Sequence, residues 1–321
     1  MVAVSALIPL RAHFIWFGAD LPWVHVLAIR SAADRGGFES VVLHHDEDLS
    51  SAPHYGALRA IDRLELRRLE VRDLLARCFP FASVLGPIFD GLPTPPIRKD
   101  LIRLVLLYLE GGVYLDLDTV TVGSFVDLCA EADAFCGEER IVFPGNVRHS
   151  RNPAVQLLAQ LRNGLRDLLG YVPRGWALFR EVERFYPRAA NGAVLASAPR
   201  GRFVTGALER LIELPPAVQR RSCGIGPHLI QEMAARFERP DLAVHPPPVF
   251  YPLGPEISRH WFYLREGQAR LAEVLLPGTR VVHWYGSVGN QKMTSAIDPA
   301  FVRANAGRQL FSELALPFAG G

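Results

Sequence analysis

Residues 97–123 read IRKDLIRLVLLYLEGGVYLDLDTVTVG, and this stretch decides the fold around which the rest of the chain is built. Arg103 is the only charged residue between positions 101 and 109, so we expect a buried helix. A double proline stands just ahead of its predicted start, and Gly111 and Gly112 predict its end. The run that follows alternates as a β-strand does and includes Asp116-Leu117-Asp118. The stretch therefore predicts a buried helix leading into a strand.

The two carboxylates at the end of this strand, Asp116 and Asp118, are expected to project to the same side, because strand side chains alternate. Two such carboxylates repel each other unless a cation lies between them. Mg²⁺ or Mn²⁺ takes one or two protein carboxylates and fills its other positions with water and substrate phosphate oxygens. Asp100 and Arg103 lie three residues apart, on one face of the preceding helix. The pattern predicts a metal site for a phosphate-bearing substrate, with two solvated aspartates at a strand end as the alternative.

The ordered residues Asp100-x-x-Arg103, Leu107-Tyr108 and Gly111 through Asp118 resemble the glycosyltransferase family with a DXD sugar-binding region. That family includes α-1,4-galactosyl- and N-acetylglucosaminyltransferases, fungal initiating mannosyltransferases and, more distantly, the glucosyltransferase domain of clostridial toxins. The resemblance implies a GT-A fold over residues 1–321: one α/β, Rossmann-like nucleotide-sugar-binding domain with a mostly parallel central sheet flanked by helices. Lys99 departs from the many relatives that have a small residue there, and it either alters the donor pocket or points outward.

Composition and charge are consistent with a globular enzyme. The chain has 321 residues, 49% of them hydrophobic and 21% charged, which excludes disorder over most of its length. Its net charge of +2 is too balanced to indicate a nucleic-acid partner. The four cysteines lack metal-like spacing and are expected to be reduced. With neither a signal peptide nor a membrane span predicted, we expect a cytoplasmic protein, at most peripheral at the membrane.

The first elements predict a parallel sheet. Strands are expected over residues 12–18 and 38–45, with a helix over 21–34 between them, and this spacing is typical of a βαβ unit. The charged, leucine-containing segment 57–78 is predicted to be helical. Ligands of open parallel sheets bind beyond the carboxyl ends of the strands, which is where Asp116 and Asp118 are expected.

Residues 144–176 are predicted to be a helical, basic insertion, since five arginines stand there against one acid, Asp167. Val155 and a row of leucines recur at helical spacing, while Arg162 and Arg166 share another face. Such a helix either packs on its own domain with a solvated polar face, or lies on an anionic membrane or recruits an acidic partner. Residues 148–174 are therefore a candidate for peripheral membrane contact.

The resemblance also implies roles for residues around the motif. In relatives with the pattern H-F-I-W-x-G, this strand and its tryptophan hold the nucleotide base, which implies that Ile15 and Trp16 do so here; a core role for Trp16 is the alternative. Asp100 and Arg103 would hold donor-sugar hydroxyls. Asn191 would lie near the donor sugar, although it is equally ordinary as a turn residue.

The resemblance implies a metal shell of Asp116, Asp118 and a C-terminal ligand, His283. Within it, Asp116 would touch the ribose or a metal-bound water. An imidazole ligand fits Mn²⁺ better than Mg²⁺, and a structural histidine is the alternative. The remaining candidates for nucleotide-sugar contact are Tyr114, Trp284, Ser287 and Lys292.

The function that the resemblance implies is a metal-dependent, retaining transfer of a sugar from a nucleoside-diphosphate sugar to an unidentified acceptor. UDP-sugars are favoured and GDP-mannose is the second candidate. Two alternatives stay open. Residues 114–120 also satisfy the first motif of haloacid-dehalogenase-type phosphatases, with Asp116 as nucleophile, but the only downstream lysine, Lys292, has no acidic pair after it. The other alternative is a nucleotide-sugar-binding protein without turnover.

Overall fold

The structure, a computed structural model, describes residues 7–148, 150–264, 271–287 and 290–320. Its strands are β1 (Arg11–Trp16), β2 (Ser40–His45), β3 (Leu64–Arg68), β4 (Gly112–Leu115), β5 (Thr119–Thr121), β6 (Ala134–Arg140), β7 (Arg188–Ser197), β8 (Ala243–His245) and β9 (Val281–His283).

The helices of the first half are α1 (Trp23–Arg35), α2 (Tyr55–Arg59), α3 (Val71–Ala76), α4 (Ala82–Asp90), α5 (Pro95–Glu110), α6 (Val126–Cys129), α7 (Gly145–Arg148) and α8 (Pro153–Tyr171). Those of the second half are α9 (Gly175–Val182), α10 (Arg202–Glu213), α11 (Pro216–Gln219), α12 (Pro227–Ala234), α13 (Pro247–Phe250), α14 (Leu271–Val274), α15 (Gln291–Ala296), α16 (Pro299–Asn305) and α17 (Leu310–Ala315). Short 3₁₀ helices cover Glu183–Phe185, Pro255–Trp261 and Leu316–Phe318.

The central sheet has seven strands in the order β3-β2-β1-β4-β7-β6-β8. Neighbours from β3 to β4 run parallel, as do β6 and β8, while β7 runs antiparallel to both β4 and β6. A separate two-stranded antiparallel sheet joins β5 to β9. The predicted fold class, α/β with a mostly parallel central sheet flanked by helices, is confirmed.

The predicted central helix is α5, and it is buried on nearly all sides between Leu101 and Tyr108. It begins at Pro95, so the two prolines form its first residues instead of preceding it. It ends at Glu110, and Gly111 and Gly112 follow with φ values of +66° and +101°, conformations that favour glycine. A Cβ on Gly112 would lie 2.6 Å from the carbonyl oxygen of Arg11, so α5 can enter β4 beside β1 only through a residue without a side chain.

The core lies on both faces of the sheet. One cluster packs α5, α10 and α12 against one face, and a second packs α1 and aromatic residues such as Phe125 and Phe135 against the other. A third cluster gathers the indoles of Trp176, Trp261 and Trp284 with α17. The C-terminal segment is thereby fixed beside the sheet.

The prediction of a helix over residues 57–78 is wrong. α2 ends at Arg59, β3 occupies Leu64–Arg68 at the sheet edge, and α3 starts at Val71. Within β3 the leucines alternate with charged residues, which is the period of a strand, and charged side chains suit an exposed edge. The leucine repeat had masked this shorter period.

The predicted helical insertion at residues 144–176 contains α7 and α8 and the beginning of α9, between β6 and β7. Across the described residues, no helix combines the length and the apolar composition that crossing a bilayer requires. That the whole chain folds as one domain stays a prediction.

Candidate active site

The two aspartates of the motif lie in a turn, whereas the sequence predicted the end of a strand. β4 ends at Leu115, and Leu117 and Asp118 form the turn that leads into β5. The Thr119 hydroxyl donates to the carbonyl oxygen of Asp116 at 2.7 Å. The backbone amide of Asp116 donates to the carbonyl oxygen of Ala193 in β7 at 2.8 Å. This turn brings both carboxylates to one cavity of about 360 Å³.

Asp118 is held by the C-terminal segment of the chain. Its Oδ1 lies 3.0 Å from Nε2 of His283, and its Oδ2 accepts a hydrogen bond of 2.8 Å from the amide of Gly286. Burial disfavours both charges, but the mutual attraction of the pair outweighs it, so the pKa of Asp118 is lowered and that of His283 is raised. β9 delivers His283 here because it pairs with β5, where Thr119 lies opposite the histidine.

Asp116, Asp118 and His283 fit a divalent metal. Each offers a ligand atom, and these atoms lie within 4.8 Å of one another. Two neighbouring ligands at right angles, each about 2.1 Å from an ion, are about 3.0 Å apart. Oδ1 of Asp118 and Nε2 of His283 have this separation, 3.0 Å. Carboxylates with one imidazole suit Mn²⁺.

Lys99 points into the cavity and not outward. Its Nζ lies 2.8 Å from Oδ1 of Asp116, and the Tyr114 hydroxyl donates to the same oxygen at 2.5 Å. Burial disfavours the ammonium, but the Asp116 carboxylate more than offsets it and raises the pKa of Lys99. Within the described residues these bonds leave Oδ2 of Asp116 without a hydrogen-bond donor. The departure noted in the sequence therefore places a positive charge beside the carboxylates predicted to bind a metal.

Asp100 and Arg103 form a buried ion pair behind the cavity. Arg103 donates to an Asp100 oxygen and, at 2.8 Å, to the carbonyl oxygen of Gly192, and its guanidinium lies 5.1 Å from the ring centre of Tyr114. The side chain of Arg103 is 4% exposed. Neither residue lines the cavity. Arg103 of this predicted sugar-binding pair contacts Gly192 and Tyr114 instead.

Asn191 also acts on its neighbours. Its Nδ2 donates to Oε2 of Glu139 at 2.8 Å, and its Oδ1 accepts from the amide of Ala193 at 2.7 Å. The Tyr285 hydroxyl donates to the same Glu139 oxygen at 2.8 Å. Burial raises the pKa of Glu139. The partners of Glu139 come from β7 and from the segment after β9, so no local sequence pattern could indicate these contacts.

The predicted base-binding residues Ile15 and Trp16 both line the cavity. The indole of Trp16 packs at 5.0 Å from the ring of His25, whose Nδ1 lies 2.9 Å from the carbonyl oxygen of Leu117. His25 also lines the cavity, and sequence reasoning missed it because a histidine in an apolar helix resembles a core residue. The wall is completed by Phe17, Pro95 and Pro96.

Of the C-terminal candidates Trp284, Ser287 and Lys292, only Ser287 is among the residues that line the cavity. Trp284 is fully buried against Phe262 and Phe311, and what it contributes to the site is its backbone amide, which donates to the carbonyl oxygen of Asp118 at 3.0 Å. Lys292 is exposed, and the α15 residue that lines the cavity is Thr294.

Residues 36–135 match the family model described as a glycosyltransferase sugar-binding region containing a DXD motif. The match includes Lys99, the Asp100–Arg103 pair and the turn that carries Asp116 and Asp118. This region is similar to the sugar-binding region of that family. The recognition made from the sequence is thus confirmed for this region, and His283 and β1, which is predicted to contact the nucleotide base, lie outside it.

One curated relative is the Subversion of eukaryotic traffic protein A of Legionella pneumophila. It is 26% identical over 124 residues, which are 38% of this chain and 19% of that protein, so the chain matches about a fifth of the relative's length. Mouse xyloside xylosyltransferase 1 has a TM-score of 0.48 at 13% identity, covering 87% of this chain and 98% of that one. The PaToxG glycosyltransferase has a TM-score of 0.44 at 14% identity, covering 71% and 69%.

Proposed function

We propose that this chain is a metal-dependent, retaining glycosyltransferase of the GT-A type that uses a UDP-sugar, with GDP-mannose as the second candidate donor. The observation that carries the proposal is the convergence of Asp116, Asp118 and His283, of which the two aspartates line the cavity and the histidine lies directly behind Asp118. The two aspartates belong to the matched sugar-binding region, and the histidine reaches them from β9. A nucleoside diphosphate offers the phosphate oxygens that such a ligand set leaves room for.

Asp116, Asp118 and His283 would hold Mn²⁺ or Mg²⁺, and the bound ion would supply positive charge to the departing diphosphate. The Lys99 ammonium adds a second positive charge beside Asp116. In the same cavity, Ile15 and Trp16 provide apolar surface on which a nucleotide base can lie. The cavity thus offers apolar surface for a base and, once a metal is bound, positive charge for a diphosphate.

Retention of configuration is proposed to proceed by substitution on one face of the sugar, in which the departing phosphate helps to take the acceptor proton. The nearby carboxylates are already engaged: Asp100 is paired with Arg103, and Glu139 accepts from Asn191 and Tyr285. This leaves no obvious covalent nucleophile among the described residues. An α-linked UDP-sugar would then yield an α-linked product.

The acceptor stays open: a glycan, a lipid-linked glycan, a protein or a small molecule. We propose a cytoplasmic location and no nucleic-acid partner. Three of the four cysteines, Cys78, Cys129 and Cys136, are buried, which is compatible with reduced thiols.

The test is slow donor hydrolysis, followed by NMR for a panel of UDP- and GDP-sugars, with Mn²⁺ and with a chelator. We expect metal-dependent release of one sugar, and the first-formed anomer should retain the donor's configuration. Asp118→Ala is expected to release no sugar above background in this assay. Release of phosphate from simple phosphoesters, with no sugar released, would instead support the phosphatase hypothesis, although its required lysine, Lys292, does not line the cavity. Nucleotide-sugar binding without hydrolysis, even when candidate acceptors are added, would support a binding protein.

A further inference from the structure

The helix α8 exposes a stripe of leucines. Leu157, Leu161 and Leu168 are 63%, 63% and 61% exposed, and Leu158 and Leu165 are 47% and 38% exposed. At about 100° per residue these five side chains fall within a sector of about 100°, over a length of about 17 Å. Such a stripe normally faces a protein core. Here it faces outward.

The inner face of α8 carries the arginines. Arg166 donates to Glu256 at 2.7 Å, and the carbonyl oxygen of Arg162 accepts from the Tyr186 hydroxyl at 2.9 Å. Ala159 and Leu169 are buried on the same side. The sequence left open whether this helix packs its apolar face on the domain or turns it toward a membrane or a partner, and the structure turns the apolar face outward. The leucine stripe is therefore left without a partner within the described residues.

The segments that flank this stripe in the chain are rich in exposed arginines. Between residues 144 and 188 the described residues include five exposed arginines and one exposed acidic residue, Glu181. The exposed arginines are Arg148, Arg151, Arg174, Arg184 and Arg188. Three of them, Arg148, Arg151 and Arg184, form no ion pair with any described residue. The exposed aromatic residues Tyr171 and Phe185 lie in the same segment, at 72% and 58% exposure.

We propose that the leucine stripe of α8, with these arginines, is a docking surface for an anionic lipid membrane. A helix with leucines on its outer face and exposed arginines in its flanking segments lies in the plane of the interface, where the apolar side chains enter the acyl boundary and the guanidinium groups meet lipid phosphates. Aromatic residues such as Tyr171 and Phe185 are favoured at the same depth.

A second copy of this chain is a poorer occupant. In a two-fold dimer the same patch meets itself, so the arginines of both copies would face one another without acidic partners. A membrane rich in anionic lipid supplies the missing negative charge. The surface does not depend on the catalytic residues, and the proposal stands independently of the proposed activity.

The test is sedimentation of the full chain with vesicles of phosphatidylcholine, with and without phosphatidylserine. We expect binding to the anionic vesicles that falls about tenfold in Leu161→Gln/Leu168→Gln and weakens in high salt. The matched control is Leu276→Gln/Leu316→Gln, two exposed leucines elsewhere, which should bind as the parent does. All four leucines are exposed, so the thermal midpoint should not change.

A charge variant, Arg148→Gln/Arg151→Gln/Arg184→Gln, should lose the preference for anionic vesicles. Absence of vesicle binding by the parent chain would overturn the proposal. Equal binding by the stripe variant and its control would do the same. Light scattering provides the remaining arm: a parent dimer that Leu161→Gln/Leu168→Gln converts to a monomer would show that a second copy covers the stripe.

Discussion

At the scale of single residues, Asp118 connects the motif to the C-terminal segment through His283 and Gly286. We expect Asp118→Ala to lower metal-dependent turnover by about 10²–10³-fold, because the variant loses a metal ligand at the point where diphosphate charge develops. Donor hydrolysis measures the activity, and circular dichroism should show an intact fold. The control is Asp62→Ala, which removes an exposed carboxylate between α2 and β3. Unchanged turnover in Asp118→Ala would remove this residue from the site.

Lys99 makes a second prediction at this scale, because its ammonium lies 2.8 Å from a carboxylate that would also bind metal. In Lys99→Met the site loses a positive charge, so we expect Mn²⁺ alone to bind several-fold more tightly and UDP to bind more weakly. Electron paramagnetic resonance of free Mn²⁺ measures the first effect. The chain offers a matched control in Lys292→Met, since Lys292 is its only other lysine and is exposed. Equal Mn²⁺ affinity in both variants would show that Lys99 does not influence the metal.

Arg103 makes a prediction about stability. Its removal in Arg103→Ala leaves the Asp100 carboxylate buried without its partner, so we expect the free energy of unfolding to fall by about 3–5 kcal/mol. Urea denaturation measures this loss. The double variant Asp100→Asn/Arg103→Ala removes the stranded charge and should recover part of the stability. If the double variant is no more stable than Arg103→Ala, the ion pair is not the cause, and the bond from Arg103 to Gly192 must dominate.

At the scale of elements, two buried histidines join β1, β2 and the end of α5. Nδ1 of His13 lies 3.0 Å from Nε2 of His44, and Nε2 of His13 lies 2.9 Å from the carbonyl oxygen of Gly111. Burial lowers the pKa of His13 to about 4 and lowers that of His44 as well. Both imidazoles are therefore neutral in the folded protein at pH values where the unfolded chain would already bind a proton.

The sign of the resulting pH dependence follows from linkage. With folded pKa values below the unfolded value, stability is fully present above about pH 6.5 and is lost as the pH falls toward 4. When the pH falls from 7 to 5, we expect the free energy of unfolding to decrease by about 2 kcal/mol for each of these histidines. Urea denaturation at both pH values should show a smaller loss in His44→Gln than in the parent. Equal losses would mean that this pair does not set the acid sensitivity.

Some elements were predictable because local pattern and tertiary environment agree in them. The apolar run of α5 and its glycine end required burial, and β1, α1 and β2 followed from their spacing. β3 was missed because pairing with β2 at the sheet edge outweighed the local helical pattern. α8 was found, but the direction of its faces was not, since the Arg166–Glu256 pair joins residues that are 90 positions apart.

The site divides in the same way. The motif identified Asp116 and Asp118, and the family resemblance implied His283. The structure brings these three side chains together. The hydrogen bonds around the site could not be predicted, because they join residues that are distant in the sequence. They link Lys99 to Asp116, Gly286 to Asp118 and Asn191 to Glu139. Sequence patterns indicate which residue types are present, whereas packing decides which of them line the cavity.

At the scale of the whole molecule, the cavity is lined by residues of β1, α1, α5, the DXD turn and α15. A ligand that contacts all of them stabilises the folded state as a unit. We expect UDP with Mn²⁺ at one hundred times its dissociation constant to raise the free energy of unfolding by about 2.7 kcal/mol. Thermal denaturation measures the shift, which a chelator and Asp118→Ala should each abolish. An equal shift with chelator present would mean that UDP binds without metal.

The pairing of β5 with β9 also has a consequence for the time at which the protein becomes active during synthesis. Thr119 and His283 lie opposite each other in that pairing, although 164 positions separate them. A ribosome makes the motif early and its histidine late, so a nascent chain that has already formed α5 and β4 still lacks the partner of Asp118. Translation itself therefore delays assembly of the Asp116, Asp118 and His283 cluster until the C-terminal segment has emerged, and truncated products lack the histidine of this cluster.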